Sequence, residues 1–233
     1  MPDPITNEAD EIHGLWNFTL AIAVVVFVLV EGFIIYAVFA FRKKNDDLPA
    51  QTHGSMLVEV IWTAIPVLII FSLFTYSFIV LRNIENDADD EDLTVHVQGF
   101  QFQWRFTYSM NDLGTNTPDR NAEGEISVLG TQEDHPVLRI PIGEPVEFQL
   151  ASNDVIHSFY VRDFLYKLDV IPGRDNRFVV TAHKLGSYHA QCAELCGLDH
   201  ALMQFTLEVV TREEFDKWVA DNAPTAQSVQ QAK

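Results

Sequence analysis

The chain has 233 residues, of which 48% are hydrophobic, and its 33 acidic residues outnumber 15 basic ones, giving a formal net charge of −18. This length suits one membrane anchor and one compact domain of about 100–150 residues. The acidity argues against a nucleic-acid partner, because phosphates are bound through Lys and Arg. It favours a soluble partner with a basic face, although acidity that only keeps the domain soluble stays open.

The first apolar segment follows a polar, acidic stretch at residues 1–14, which lacks the basic region of a secretory signal and is predicted to be an extracytoplasmic tail. Residues 15–41 exceed the roughly 20 apolar residues that span the hydrocarbon core. Glu31 is the exception, because a carboxylate at this depth usually faces protein or water. It is a functional proton site, a helix-packing contact or a protonated bystander.

A second span is predicted at about residues 56–81, and Pro66 within it is tolerated because neighbouring groups satisfy the freed carbonyl. The basic cluster at residues 42–44 lies between the spans, so the positive-inside rule places this loop in the cytoplasm and both termini outside. Residues 15–82 are therefore predicted to form a transmembrane helical hairpin.

An acidic linker at residues 83–92 precedes a region with the pattern of β-strands. Aromatic residues at every second position from 100 to 108 alternate with polar ones, which is typical of a strand. Further short strands are predicted at residues 126–129, 137–140, 146–151, 155–161, 177–181, 187–191 and 201–210. This spacing favours an all-β sandwich or barrel over residues 93–210.

Residues 211–233 are predicted to form a C-terminal helix and a disordered tail. Thr211 and Glu214 have the spacing of a capping box, and the helix is expected to end near Asn222. The predicted fold class is a membrane-anchored α+β protein: a two-helix transmembrane hairpin, an all-β domain and a terminal helix.

A soft set of metal ligands lies near the end of the β region. Cys192 and Cys196 are the two cysteines of the chain, and His200 and Met203 follow the second at spacings of four and seven. These ligands suit copper better than magnesium or calcium. His157 lies where a strand can carry it to the same end of the sandwich. The expected ligand set is two Cys, two His and one Met.

Other arrangements of these residues stay open. A Cys192–Cys196 disulfide fits a compartment outside the cytoplasm, and a zinc site of two Cys and two His would leave Met203 unexplained. A blue-copper site uses one Cys, two His and a weak Met, which leaves one thiolate over. Two bridging thiolates holding two copper ions would use the whole set. Without a Cys-x-x-Cys-His motif, no covalently attached haem is expected.

These motifs resemble subunit II of the haem–copper cytochrome c oxidases. The family motif Cys-x-Glu-x-Cys-x-x-x-His-x-x-Met is matched without gaps by residues 192–203, and Asp-Val-x-His-Ser by residues 154–158. Ile-Trp-Thr-x-x-Pro at residues 61–66 and Ile-Pro-Gly-Arg at residues 171–174 match as well. The resemblance covers about residues 16–218. It implies a bacterial plasma membrane or a mitochondrial inner membrane as the location, with subunit I and other oxidase subunits as partners.

The resemblance implies a cupredoxin-like domain with a binuclear copper A centre. The implied ligands are the side chains of His157, Cys192, Cys196, His200 and Met203 with the carbonyl oxygen of Glu194. The cysteines would bridge the copper ions, and each histidine would bind one. The Glu194 carboxylate would bind magnesium at the interface with subunit I, as an oxygen ligand suited to that cation.

Glu59 matches a family glutamate at the entrance of a proton pathway, although a carboxylate stabilised by the helix dipole is an equal alternative. Phe102 stands where the family has the Trp through which electrons are taken to enter. Phe is harder to oxidise than Trp. Electron entry therefore passes through Trp104 or a neighbouring aromatic residue instead, or Phe102 is only a contact surface. Strand core is the simplest alternative for both aromatic residues.

The implied function is electron transfer from cytochrome c, or from a cytochrome c domain of a partner complex, to haem in subunit I, which reduces oxygen and pumps protons. Two alternatives are a metal-free structural subunit of a quinol oxidase, a branch that typically lacks these ligands, and the copper module of a nitrogen-oxide reductase. The acidic residues expected to dock the donor are Asp112, Asp119, Glu123, Glu125, Glu133, Asp134 and Asp154.

Overall fold

A computed structural model describes residues 1–43, 53–86, 93–109, 125–131 and 133–223. Lys44, most of the acidic linker, three of the docking candidates (Asp112, Asp119 and Glu123) and the C-terminal tail beyond residue 223 lie outside the described residues. The chain divides into one unit of His13–Arg82 and another that combines Met1–Ile12 with Asn83–Lys233.

Within the described residues, two helices are long and apolar enough to cross a membrane. They are α1 (Asn7–Ala40) and α2 (Met56–Asn86), whose most apolar windows have mean hydropathies of 2.8 and 2.4. Exposed large apolar residues occur along both helices, as expected where lipid is the solvent. Helix α1 begins eight residues before the predicted span, because the Thr6 hydroxyl caps it by accepting a hydrogen bond from the Ala9 N–H at 3.1 Å.

The described part of the β domain contains ten strands. Their bounds are β1 Leu93–Phe100, β2 Gln103–Ser109, β3 Glu125–Leu129, β4 Val137–Pro141, β5 Pro145–Ser152, β6 His157–Val161, β7 Tyr166–Val170, β8 Asn176–Thr181, β9 Gly186–Cys192 and β10 Gln204–Val210. They form two five-stranded sheets, in the orders β3-β2-β1-β5-β8 and β4-β10-β9-β6-β7. The β1–β5 and β10–β4 pairs are parallel, and the other pairs are antiparallel.

The core of the domain combines aliphatic residues with aromatic side chains from both sheets. Phe148 of the first sheet lies 5.4 Å from Phe159 of the second, and Phe159 lies 4.9 Å from Phe205, measured between ring centroids. All three are almost completely buried. Burial of this apolar area supplies the main stabilisation of the sandwich, and the predicted all-β sandwich is confirmed.

The first two strands correct one prediction. The alternation over residues 100–108 predicts one continuous strand, but the chain turns at Gln101 and Phe102, and Phe100 pairs with Gln103 across the turn. A two-residue turn preserves the period of two, so alternation alone does not reveal it. The turn places Gln101 and Phe102 at the end of the sandwich that also carries the ligand loops.

Other strand bounds differ for local reasons. Strand β7, an edge strand paired with β6, was not predicted. Strand β6 begins at His157 because the Asp154 carboxylate accepts a hydrogen bond from the Val155 N–H, which keeps the preceding residues out of the strand. Strand β10 begins at Gln204 because residues 200–202 form a short 3-10 helix. Helix α3 (Arg212–Asn222) has the predicted capping box.

Candidate metal centre

Antiparallel pairing closes the loop that carries most of the predicted ligands. Gln191 of β9 pairs with Gln204 of β10, and the Cys192 N–H donates to the Met203 carbonyl at 2.9 Å. Both ends of the Cys192–Met203 loop are therefore fixed. Strand β6 pairs with β9, with Phe159 opposite Cys192, which places the start of β6 beside the loop.

The sulfur atoms converge within this loop. Cys192 and Cys196 are free thiols whose Sγ atoms lie 4.0 Å apart. The Cys196 Sγ lies 3.6 Å from His200 Nδ1 and 3.8 Å from Met203 Sδ. The Glu194 carbonyl lies 3.2 Å from the Cys192 Sγ. Each of these atoms therefore lies within 4.0 Å of at least one cysteine sulfur.

His157 completes this set from strand β6. One of its ring nitrogens and the two cysteine Sγ atoms all lie within 4.8 Å of one another. Its side chain is fully buried, and its Nε2 lies 2.8 Å from Asp154 Oδ1. The buried Nδ1 has no hydrogen-bond partner among the described residues. Metal-binding histidines commonly bond a carboxylate through one nitrogen and the metal through the other, so this environment fits a metal ligand.

The protonation of the two thiols also fits a metal site. Burial raises the Cys192 pKa, but the nearby His157 imidazole and the backbone groups of Glu194 and Ser158 outweigh burial, so the pKa is lowered. Burial and repulsion from Cys192 raise the Cys196 pKa. The pair therefore opposes a second negative charge unless a cation lies between the sulfurs. A bound metal ion supplies that charge and deprotonates coordinating thiols.

The Asp154 carboxylate forms hydrogen bonds with groups of this site. It accepts hydrogen bonds from His157, from the Gln101 N–H at 2.7 Å and from the Val155 N–H at 2.6 Å. Burial raises its pKa, but these bonds outweigh burial and lower the pKa to about 2. Asp154 is therefore a support for His157, although it is exposed, like the other described docking candidates, Glu125, Glu133 and Asp134.

The two aromatic candidates have different positions. Trp104 is fully buried, its ring centroid lies 6.2 Å from that of His157, and its Nε1–H donates to the Met203 carbonyl at 3.4 Å. It cannot touch a docked protein directly. Phe102 is partly exposed in the β1–β2 turn and packs over Gly197. Of the two, only Phe102 offers a surface contact.

The remaining predicted residues lie away from the sulfurs. The Glu194 side chain is exposed, so its carboxylate is free to face another molecule. Glu59 is exposed in the first turn of α2, and Glu31 is exposed on α1. Both belong to the His13–Arg82 unit, which carries none of the five predicted ligand side chains.

Two features of the site were not predicted from the sequence. The Gln101 side chain reaches across the β1–β2 turn and donates to the Cys196 carbonyl at 2.5 Å. An apolar rim is defined by four exposed side chains beside the candidate ligands in sequence: Ile156 (45% exposed), Leu195 (78%), Leu198 (94%) and Leu202 (46%). The leucines within the Cys192–Met203 motif were the sequence signal from which the rim could have been predicted. The alternation over residues 100–108 gave no signal that the Gln101 side chain contacts the cysteine loop.

Two family models match this chain. One describes the periplasmic domain of cytochrome c oxidase subunit II and matches residues 93–210. The other describes the transmembrane domain of the same subunit and matches residues 1–80. These matches confirm the resemblance and the membrane-anchored architecture.

Individual relatives are similar over almost the whole chain. A probable cytochrome c oxidase subunit 2 of Streptomyces coelicolor is 37% identical, with 98% of this chain and 80% of the relative covered. One of Rickettsia bellii is 33% identical, with 99% and 86% covered. The crystal structure of the periplasmic domain of subunit II of cytochrome oxidase of Bradyrhizobium japonicum is 34% identical, covers 57% of this chain and 94% of its own, and has a TM-score of 0.47.

Proposed function

Since the chain belongs to the cytochrome c oxidase subunit II family, we propose that it takes electrons from reduced cytochrome c at a binuclear copper A centre. The electrons pass from there to haem in subunit I. The chain is the electron-transfer subunit of an oxidoreductase complex, and reduction of oxygen to water with proton pumping belongs to subunit I.

The convergence of five side chains carries this proposal. Cys192 and Cys196 would bridge two copper ions, His157 and His200 would each hold one, and Met203 and the Glu194 carbonyl would be the weaker ligands. Such a centre supplies one-electron storage with little change of geometry. A single blue-copper ion needs only one thiolate, and zinc does not need the methionine.

The protein's own residues prepare this centre before any metal binds. Asp154 holds the His157 ring through Nε2, which leaves Nδ1 directed to the metal. The strands around His157 exclude water from that side. Low solvent access and fixed ligands lower the reorganisation that accompanies electron transfer.

The surface around the site supports docking of cytochrome c. Phe102 and the apolar rim provide desolvated contact, and exposed carboxylates elsewhere on the acidic domain attract a basic partner. Turnover with a basic cytochrome c is then expected to fall several-fold as ionic strength rises through the physiological range, because salt screens the attraction. Unchanged turnover across this range would contradict electrostatic docking.

Further assignments follow from the family and from exposure. The Glu194 carboxylate is proposed to bind magnesium against subunit I, for which carboxylate oxygen is suitable. Glu59 is proposed to lie at the entrance of a proton pathway near the cytoplasmic start of α2. Arg42 and Lys43 lie between the spans, so both termini are proposed to be extracytoplasmic.

Oxygen and nitrous oxide uptake by the purified complex separate the main proposal from its alternatives. With reduced cytochrome c as donor, the complex is expected to consume oxygen and not nitrous oxide. Replacement of both bridging ligands, Cys192→Ser with Cys196→Ser, is expected to remove copper from this chain and to abolish turnover. Full turnover of the double variant would identify a metal-free structural subunit, and nitrous oxide consumption a nitrogen-oxide reductase.

A further inference from the structure

We propose that Gln101 is a positioning residue that joins the two ligand-bearing segments of the copper centre and fixes the middle of the cysteine loop. The proposal rests on the copper function above for its metal-bound consequences, but its structural part concerns the metal-free chain. Gln101 belongs to neither ligand segment, and it lies in the β1–β2 turn.

The side chain of Gln101 provides the first contact. Its Nε2–H donates to the Cys196 carbonyl at 2.5 Å, across 95 residues of sequence. The ends of the cysteine loop are held by backbone bonds, from Cys192 to Met203 and from Ala193 to the Ser158 carbonyl at 3.0 Å. The Gln101 bond holds the loop at its centre, on the residue whose thiol contacts both His200 and Met203.

The backbone of Gln101 provides the second contact. Its N–H donates to Asp154 Oδ2 at 2.7 Å, while Asp154 Oδ1 lies 2.8 Å from His157 Nε2. Gln101 therefore bonds two parts of the site. Its backbone N–H bonds Asp154, which supports the buried His157, and its side chain bonds the cysteine loop. A shift of the β1–β2 turn would move the His157 support and the Cys196 carbonyl together.

Packing around Gly197 fits the same role. A Cβ at Gly197 would lie 2.8 Å from a Phe102 ring carbon and 2.9 Å from the Gln101 Nε2. The turn and the loop are thus in direct contact at this glycine, with the Phe102 ring against the loop backbone. Phe102 and Gln101 close the same gap, one by packing and the other by hydrogen bonding.

The consequence is that Gln101 sets how far Cys196 moves before metal binds. Loss of one hydrogen bond that anchors a loop lowers the free energy of local opening without changing the strands. Outer-shell partners of metal ligands typically affect metal affinity by about 10–100-fold. We expect the lower end of this range, because Gln101 bonds the backbone of a ligand residue rather than the ligand atom.

The test compares three variants of the full-length chain in detergent. Gln101→Leu removes the side-chain donor, Gln101→Glu keeps the shape but replaces the N–H donor with an acceptor, and Gln103→Leu is the matched control two residues away. Amide hydrogen exchange of the metal-free chain is measured at residues 194–199 and in β5. Affinity for copper(I) is measured against a competing chelator, and the visible spectrum of the copper-loaded chain is recorded.

Both Gln101 variants are expected to exchange about five- to tenfold faster at residues 194–199, with β5 unchanged. Copper(I) affinity is expected to fall about tenfold with a shifted visible spectrum, and Gln103→Leu to match the parent. Equal exchange in all chains, acceleration that extends equally to β5, or a Gln101→Glu variant that matches the parent would overturn the proposal. Failure of the parent chain to bind copper would refute the proposed function instead, and the exchange result would still decide the role of Gln101.

Discussion

The two imidazoles of the proposed centre are held in different ways. His157 begins a central strand of the second sheet, is fully buried and is bonded to Asp154. His200 begins a three-residue 3-10 helix, is partly exposed, and has its ring 3.6 Å from Cys196. One side of the site is therefore part of the core, whereas the other is built on a loop.

This difference suggests a division of roles. The buried side has rigid geometry because neighbouring strands and aromatic side chains fix it. The loop side adapts more easily, and it carries the exposed leucines that would meet a partner. We infer that the sandwich supplies precise placement, while the loop supplies contact with other molecules.

The strongest way to test this contrast is to remove each imidazole in turn. His157→Ala leaves a cavity in the core, so the thermal midpoint of the metal-free chain is expected to fall by about 5–10 °C. His200→Ala removes a partly exposed side chain and is expected to lower the midpoint by at most about 2 °C. Thermal unfolding followed by circular dichroism measures both, and equal losses would contradict the division.

Gly197→Ala perturbs the loop side alone. The added Cβ would lie 2.8 Å from Phe102, and the glycine has a φ of +143°, which other residues rarely adopt. Strain of about 1–3 kcal/mol is expected to weaken copper(I) binding by roughly 10–100-fold. Chelator competition measures the affinity, with Gly143→Ala as a control at another positive φ where no atom lies near the added Cβ. Equal affinities of the two variants would show that contact with Phe102 is unimportant.

Asp154→Asn perturbs the buried side without removing a ligand. Asparagine retains an acceptor for His157 but loses the charge, so copper(I) affinity is expected to fall about tenfold. The same chelator competition applies. Gln204→Ala, which removes a bond to the Ala201 carbonyl near the loop side, is the matched control and is expected to stay within about twofold. An Asp154→Asn chain with parental affinity would remove Asp154 from the account.

The smallest expected effect is a dependence of stability on pH in the metal-free chain. The Asp154 pKa falls from 3.8 to about 2 on folding. A lowered folded-state pKa contributes stability above pH about 3.8, and this contribution is lost as pH falls towards 2. The stability difference between the parent and Asp154→Asn is therefore expected to shrink over this window in acid unfolding, and a constant difference would contradict it.

The candidate ligand residues could be predicted to lie close together, because metal chemistry restricts both the type and the spacing of the ligands. Cys192, Cys196, His200 and Met203 lie in one short motif, so closing a single loop brings them together. The two membrane helices were predictable because lipid requires long apolar runs. In these regions the local sequence pattern is enough to predict the structure.

Prediction failed where contacts join distant segments or where a turn keeps the strand period. The β1–β2 turn preserves alternation, so Phe102 and Trp104 were assigned to one strand although only Trp104 is in the core. The bond from Gln101 to Cys196 depends on how two loops meet, which no local pattern encodes. Asp154 was predicted only as a docking carboxylate, because its hydrogen bonds with Gln101 and His157 form only after folding.

Electron paramagnetic resonance of the oxidised, copper-loaded full-length chain tests the central claim most directly. Two thiolates shared between two copper ions delocalise one unpaired electron, so we expect two copper ions per chain and a seven-line hyperfine pattern. A four-line pattern from a single copper ion, or a chain that retains zinc and gives no copper signal, would contradict the account.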